Sequence, residues 1–298
     1  MATESNPMIQ RLNLILLITA YLLAALPLSA AVERLQIAGE WCFIETPDSR
    51  PPIGAVILMH GNGETVGPET STWQSNAGER LLMNKLLDAG YLLAQSNAAA
   101  TPANGMWGNA DTERTVLALV DYLRQNRGIS AFDAIAVSAG NVTLLNLELE
   151  GRIQFRHAAL VAPVISLVSL YRCPAGSDRV TGISVAFGFT PSGPCPGKPE
   201  TDAAFRDATA GHDPLRTVQA SPDSVRKLAG TAWMACYEEH DAKVPPPENI
   251  LPLSELLKSA GMTVPAYVLA GASGHTSKEM LEGCAARVVP FLAPPAAR

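Results

Sequence analysis

The chain has little positive charge and no concentrated basic segment. Its 298 residues include 22 lysines and arginines against 28 aspartates and glutamates, which gives a formal net charge of -6. Proteins that bind nucleic acids present a basic patch or stripe to the phosphates, and this sequence contains none. We therefore expect no nucleic-acid partner.

Metal-binding patterns and repeats are also missing. The five cysteines form no CxxC pair, and no group of histidine and cysteine has the spacing of a metal site. The sequence has no internal repeat and no long low-complexity tract. We therefore expect no metal and no cofactor. The length fits one large α/β domain or two small ones, with enough chain for a sizeable core.

An apolar run near the N-terminus separates the first residues from the rest. Arg11 precedes the run Leu12 to Leu26, and the small residues Ser29-Ala30-Ala31 follow. This order is that of a secretory signal peptide. The run of about 15 residues is shorter than the roughly 20 that cross a bilayer. We expect residues 1–31 to be cleaved after Ala30 or Ala31 and the protein to be secreted or periplasmic. The alternative is an uncleaved anchor, which would then be the only membrane contact.

The cysteines that remain after export would meet an oxidising compartment, where disulfides form and persist. Cys173 and Cys195 flank a stretch rich in glycine and proline, and a bridge between them would close a loop. Cys236 and Cys284 are a second candidate pair, which leaves Cys42 as a buried small hydrophobe. The sequence alone does not determine this connectivity.

Short apolar runs alternate with amphipathic segments along most of the chain. The clearest helix is 110–127, where Val116, Leu119, Val120 and Leu123 form one apolar stripe. Alternation at this spacing predicts βαβ units, and therefore a mainly parallel, twisted sheet flanked by helices over residues 32–298. The predicted strands are one or two within 34–46, then Ala55–Met59, Tyr91–Ala94, Phe132–Val137, His157–Val164, Thr231–Tyr237 and Val264–Ala270.

The alternation of predicted strands and helices stops between the sixth and seventh predicted strands. Residues 166–227 contain many glycines, prolines and polar residues. A structureless loop of this length is unusual inside a compact domain, so we expect a cap or lid over the carboxyl ends of the strands. The apolar stretch Ile183 to Phe189 within it favours an apolar substrate pocket.

Ser138 lies between a predicted strand and a predicted helix, in a turn of small residues. Ala136 and Gly140 flank it at two positions before and after, which approximates the G-x-S-x-G nucleophile elbow. Such a turn exposes the hydroxyl above the sheet edge, beside free N–H groups of the helix. The alternative is an ordinary serine in a βα turn.

A nucleophilic serine needs a base and an orienting carboxylate, and in a parallel sheet these follow other strands. His275 follows the last predicted strand and is the candidate base. The alternative is an ordinary histidine in a surface loop. Asp241 is the acid that we favour, although an Asp there also serves as a helix cap. The chain order Ser138, Asp241, His275 is that of one known arrangement of the catalytic triad. Four polar residues after the preceding strand are candidates for the acid: Glu238, Glu239, His240 and Asp241.

The segment after the first buried strand, Ile57 to Glu64, supplies glycines that can turn backbone N–H groups toward a reacting carbonyl. We expect the oxyanion hole to consist of the Asn62 N–H, or also that of Gly63, together with the Ala139 N–H. His60 is interpreted as a structural histidine of this loop. Trp107 follows the fourth strand and is either a substrate-binding residue or a packing residue.

These motifs together resemble the α/β-hydrolase family over residues 34–292. The resemblance implies a Ser138–Asp241–His275 triad, a backbone oxyanion hole and a cap between strands six and seven. Two positions depart from the family pattern, Ala136 and Asn141, where glycine is commoner. The motifs that carry the resemblance are His60-Gly61, Ala136-Val137-Ser138-Ala139-Gly140, Asp241 to Pro245 and Gly274-His275.

The expected function is that of a serine hydrolase, which cleaves a carboxylic ester of a small-molecule or lipid-like substrate through an acyl-enzyme intermediate. Peptidase, thioesterase and acyltransferase chemistry use the same triad and remain alternatives. A catalytically silent binding protein of the same fold is the alternative from another class.

Overall fold

The computed structural model describes residues 32–48, 50–100, 105–174, 176, 178–271 and 274–293, so the predicted signal segment lies outside the described residues. Eight strands in these residues form one sheet in the order β1-β2-β4-β3-β5-β6-β7-β8. The first two strands join the sheet antiparallel, and all other neighbours are parallel. The strands are β1 Val32–Ile37, β2 Glu40–Glu45, β3 Ala55–Met59, β4 Leu92–Ser96, β5 Phe132–Val137, β6 His157–Val161, β7 Ala232–Glu238 and β8 Ala266–Leu269.

Helices cover both faces of this sheet, which confirms the predicted fold class. No helix of the described residues is long and apolar enough to cross a membrane. The α-helices are α1 Thr72–Ser75, α2 Ala77–Ala89, α3 Ala110–Arg127, α4 Gly140–Leu149, α5 Leu167–Tyr171, α6 Asp178–Phe187, α7 Ala203–Ala208, α8 Pro214–Ala220, α9 Ile250–Ser259 and α10 Lys278–Leu292; 3-10 turns span Pro222–Gly230 and Pro246–Glu248.

Strand β3 shows why its sequence is a continuous apolar run. All five of its residues are buried, because successive side chains point to opposite faces and both faces are covered. Ile57 joins a core with Leu119 of α3, whereas Val56 and Leu58 join a second core with Leu82 of α2. The strand is therefore fixed in the centre of the sheet. The loop that follows it lies at the edge formed by the carboxyl ends of the parallel strands.

Strand β6 is three residues shorter than predicted. Ala162 has a φ of 44°, a left-handed conformation that turns the chain away from the sheet. Val164 then donates its backbone N–H to the carbonyl of Ser138 at 3.2 Å. The residues that leave the strand thus support the serine turn.

In its described residues, the segment between β6 and β7 contains four α-helices and one 3-10 turn, and it packs in two parts. Val180, Ile183 and Phe205 pack with Trp107 and with the start of α4, at the edge that carries the serine turn. Residues from α8 onward, including Leu215, instead join the main core beside the sheet. The part that approaches the serine turn therefore comes from α5 to α7.

The cysteines follow the prediction in part. A disulfide joins Cys173 to Cys195 with a Cα–Cα distance of 5.4 Å, as expected. Cys236 and Cys284 are both buried and free, so the second predicted pair is wrong. Cys42 is free and fully buried in the core, as expected.

Candidate active site

Ser138 lies at the carboxyl end of β5 in a strained backbone conformation. Its φ is 50°, which non-glycine residues rarely adopt, and its N–H donates to the Val161 carbonyl at 2.9 Å. A Cβ at Gly140 would lie 2.5 Å from the Met59 carbonyl oxygen, so no larger residue fits there. Ala136 is buried within β5 and pairs with neighbours on both sides. Its methyl group is therefore compatible with the elbow.

Asn141, one of the two departures from the family pattern, supports the serine turn. Its side-chain amide is buried and donates to the carbonyls of Ser138, at 2.9 Å, and of Val161, at 3.2 Å. These bonds tie the serine turn to the end of β6. A glycine at this position could not make them.

A continuous hydrogen-bonded line joins the three residues predicted as a triad. His275 Nε2 lies 2.8 Å from Ser138 Oγ, and His275 Nδ1 lies 2.6 Å from Asp241 Oδ2. The other carboxylate oxygen of Asp241 accepts the backbone N–H groups of Lys243, at 2.8 Å, and Val244, at 3.0 Å. This geometry assigns the proton to Nδ1, so that Nε2 can accept the serine proton.

The Asp241 carboxylate is suited to stay ionised in this position. Burial alone raises its pKa, but the hydrogen bond and charge of His275 and the two backbone N–H groups outweigh burial, so the pKa lies below its usual value. An ionised carboxylate at this distance from an imidazole is able to stabilise an imidazolium.

The other acid candidates lie elsewhere. Glu238 is buried, and its carboxylate accepts the Gly274 N–H at 2.9 Å, which holds the loop that carries His275. Glu239 and His240 are exposed and face one another at 4.0 Å. Among the four candidates, Asp241 is the residue that contacts the histidine.

The loop after β3 approaches the serine turn closely. A Cβ at Gly61 would lie 3.2 Å from Ser138 Cβ. Asn62 lines the cavity beside Ser138, whereas Gly63 is exposed and does not. Within the described chain, the N–H groups of Asn62 and Ala139 donate to no other residue. Their role as oxyanion donors stays a prediction.

Two residues after β4 hold Asn62 in place. Gly105 packs directly on its backbone, where a Cβ would lie 2.5 Å from Asn62 Cα and 2.9 Å from its nitrogen. Trp107 is buried and donates its indole N–H to Asn62 Oδ1 at 3.3 Å. Trp107 thus packs against the insertion and also lines the cavity, and its role in substrate binding stays a prediction.

His60 lies behind this loop. It is buried, and its two ring nitrogens contact the carbonyls of Gly61 and Asn97, each at 3.1 Å. Both partners are backbone atoms of neighbouring loops. His60 is therefore placed to support the loop, in agreement with the structural role that we expected.

A pair of carboxyl groups, the half-buried Glu64 and the buried Glu79, anchors the same loop, and sequence reasoning missed it. Glu64 Oε2 accepts the N–H of Gly61 at 2.9 Å and the indole N–H of Trp73 at 3.1 Å. Burial, together with the charge and hydrogen bonding of Glu64, raises the pKa of Glu79 to about 9. At neutral pH Glu79 therefore keeps its proton and shares it with Glu64. The only sequence signal was an acidic residue three positions after His60-Gly61.

The cavity at Ser138 is small and polar. It measures about 250 Å³, and the Ile183 to Phe189 stretch does not line it, so the expected apolar pocket is not observed. In the part of the chain that is described, no group of three or more histidines, cysteines, aspartates or glutamates is placed to hold a metal ion. The lining residues are Gly61, Asn62, Glu64, Trp107, Ser138, Arg179, Lys243, His275 and Thr276.

No protein-family model matches the sequence, and neither does any curated protein. Solved structures match the fold. An acylaminoacyl peptidase of Pyrococcus horikoshii superposes with a TM-score of 0.61 at 12% identity, over 92% of this chain and 42% of its own. A ferulic acid esterase superposes with a TM-score of 0.61 at 14% identity, over 89% of this chain and 97% of its own. Carboxyl esterase 2 of the fungus Tuber melanosporum superposes with a TM-score of 0.59 at 14% identity, over 89% of this chain and 84% of its own.

The chain spans less than half the length of the peptidase but most of the length of the two esterases. Identities this low establish the fold and nothing finer. Together with the strand order and the mainly parallel sheet, they show that the chain has the α/β-hydrolase fold. What the chain does has to be argued from its own site.

Proposed function

We propose that the chain is a serine hydrolase that cleaves carboxylic esters through an acyl-enzyme intermediate. The observation that carries this proposal is the line Ser138–His275–Asp241, with donor–acceptor distances of 2.8 and 2.6 Å, beside two backbone N–H groups that donate to no other described residue. A nucleophile, a base, an orienting acid and oxyanion donors around one point are the parts that acyl transfer requires.

The reaction would proceed in two halves. Ser138 Oγ attacks the ester carbonyl as His275 Nε2 accepts the serine proton. The resulting oxyanion accepts hydrogen bonds from the backbone N–H groups of Asn62 and Ala139. One such donor typically stabilises the transition state by about 3 kcal/mol. The alkoxide leaves with the proton from His275, and an acyl-enzyme remains on Ser138. Water then attacks this ester, again through His275, and releases the acid.

Two considerations favour an ester over an amide or thioester. The two esterases reported above match this chain over 97% and 84% of their own length, whereas the peptidase is more than twice as long as this chain. The cavity is also small. Its volume is about 250 Å³, below the roughly 300 to 1,000 Å³ that is common for ligand sites. We therefore expect a small, polar ester rather than a long lipid or a peptide.

The direct test is hydrolysis of p-nitrophenyl acetate together with labelling by a fluorophosphonate probe. We expect Ser138→Ala and His275→Ala to lower kcat by about 10⁴-fold or more, since triad members act as a unit. Ser259→Ala and His240→Ala are matched controls, because both residues are exposed and neither lines the cavity. Full activity in the triad variants would refute the proposal. Absence of both turnover and labelling in the wild type would favour the silent binding protein.

We also propose that the protein is exported and that residues 1–31 are removed after Ala30 or Ala31. The apolar run Leu12 to Leu26 supports this proposal, because it has the order and length of a signal segment. Mass spectrometry of the protein recovered from the exported fraction tests it. A membrane-bound protein that retains this run would instead be anchored through its N-terminus.

A further inference from the structure

Two cationic side chains line the cavity beside the nucleophile. Lys243 follows Asp241 by two residues, and Arg179 comes from the first turn of α6. The chain as a whole has six more acidic than basic residues, so a pair of cations at this cavity runs against its average charge. Small clefts that concentrate one sign of charge attract ligands of the opposite sign.

Lys243 is held in position through its backbone. Its N–H donates to Asp241 Oδ1 at 2.8 Å, which fixes the start of the side chain next to the triad. Its side chain is exposed and forms no ion pair among the described residues. The ammonium can therefore reach a bound ligand without first leaving a carboxylate.

The one carboxylate in the cavity lining is already engaged. Glu64 accepts two hydrogen bonds, from Gly61 and Trp73, and it shares the proton of Glu79. Its negative charge therefore faces these donors. The cationic side chains of the lining are those of Lys243 and Arg179, which lie beside Ser138.

We propose that the substrate is a short ester that carries a carboxylate, and that Lys243 and Arg179 bind this carboxylate while Ser138 attacks the ester. The proposal rests on the proposed hydrolase function and names its substrate class. Guanidinium and ammonium groups form charge-assisted hydrogen bonds with carboxylates, and these are stronger than bonds between neutral groups. The carboxylate can belong to the acyl part, as in a half-ester of a dicarboxylic acid, or to the alcohol part, as in an ester of a hydroxy acid.

The test compares anionic esters with neutral esters of the same shape. For the acyl side, mono-p-nitrophenyl succinate is paired with p-nitrophenyl 4-oxopentanoate. For the alcohol side, acetoxyacetate is paired with acetoxyacetone, and the acid released is titrated. We expect kcat/KM to be about tenfold higher for the anionic member of at least one pair, as a charge-assisted hydrogen bond predicts. This preference should shrink as ionic strength rises.

Charge variants then assign the preference to residues. Lys243→Gln and Arg179→Gln should each lower the ratio of kcat/KM between the anionic and the neutral ester, mainly through KM. Lys243→Glu should lower this ratio further, and Lys243→Arg should retain it. Lys258→Gln, an exposed lysine of α9 outside the cavity lining, is the matched control and should leave the ratio unchanged. Circular dichroism confirms that each variant is folded.

Two results would overturn the inference. One is a ratio near one for both pairs while hydrolysis still depends on Ser138, in which case the hydrolase function stands and the substrate class is wrong. The other is an anionic preference that survives both Lys243→Glu and Arg179→Gln, which would place the recognition elsewhere. If no ester is hydrolysed and no probe labels Ser138, the proposed function itself fails and this inference falls with it.

Discussion

The two sides of the cavity are held in place by different kinds of contact. On one side, which we call the triad wall, Ser138, Asp241 and His275 each follow a parallel strand within a few residues. On the other side, the loop wall of Gly61, Asn62 and Glu64 follows β3 but is anchored by partners from distant segments. These partners are Trp73 and Glu79 from the first two helices and Gly105 and Trp107 from the loop after β4. The triad wall therefore depends on strand ends, and the loop wall depends on buried polar contacts.

The largest effect is expected on the triad wall, from Asp241→Asn. Both carboxylate oxygens face donors, His275 on one side and two backbone N–H groups on the other, so an amide must point its own NH₂ group at a donor. The histidine then loses its required tautomer, and we expect kcat to fall by about 10⁴-fold. Steady-state hydrolysis of p-nitrophenyl acetate measures this change. Asp223→Asn, at a site 83% exposed, is the control, and a fall below tenfold would contradict the prediction.

On the loop wall, Gly105→Ala should have the next largest effect. The added methyl group would lie 2.5 Å from Asn62 Cα, so the backbone that carries the proposed oxyanion donor must shift. We expect kcat to fall about 100-fold with little change in KM, as for loss of one oxyanion donor. Gly193→Ala provides the comparison, since nothing lies within 4 Å of a Cβ at that position. Equal kcat values in the two variants would show that the loop wall tolerates movement.

The Glu79→Gln substitution tests the Glu64–Glu79 carboxyl pair through stability. Between the usual carboxyl pKa of 4.5 and the folded pKa of about 9, the folded chain keeps a proton that the unfolded chain releases. The free energy of unfolding therefore declines as pH rises through this interval. Glutamine resembles the protonated acid and does not titrate, so this part of the decline should disappear.

Urea unfolding of wild type and Glu79→Gln at about pH 6, inside the interval, and at about pH 9, at its upper end, measures the difference. The variant should gain stability relative to wild type at the higher pH. Glu255→Gln, an exposed glutamate of α9, should keep the wild-type dependence. Parallel pH profiles in all three proteins would mean that Glu79 carries no proton of this kind.

The smallest effect is expected for Trp107→Phe, which removes the indole N–H that Asn62 Oδ1 accepts at 3.3 Å. A single neutral hydrogen bond contributes about 1 kcal/mol, so kcat should fall about fivefold. Trp233→Phe removes a similar bond, to the Leu228 carbonyl, in the core away from the cavity. It should lower stability without changing kcat. A loss of kcat in both variants would point to general loosening of the fold.

The contrast between the walls also explains what the sequence could predict. Strand β3, strand β5 and helix α3 have the bounds predicted from their apolar patterns, because those patterns reflect burial on sheet and helix faces. Ser138, Asp241 and His275 could be identified because they directly follow such elements. The predicted bounds of strand β6 are too long. The apolar sequence continues to Val164 and does not indicate the left-handed turn at Ala162.

The loop wall could not be predicted in the same way. Glu79 has the sequence of an ordinary acidic residue in the first turn of a helix, and only its burial against Glu64 raises its pKa. Asn141 looked like a departure from a pattern until its amide was seen to bond with two carbonyls. The helices of the insertion between β6 and β7 could not be predicted, because α5, α7 and α8 are too short to show a helical periodicity of apolar residues.

The packing of α10 against α2 has a consequence for how the chain acquires its fold during synthesis. Leu281 of α10 lies against Gly78 of α2, and the Tyr91 hydroxyl donates to the carbonyl of Leu292, 201 positions further along, at 2.5 Å. The ribosome therefore releases the apolar face of α2 long before the helix that covers it exists. A growing chain must keep that face, with Leu82 and Leu86, away from other chains until translation has passed α10.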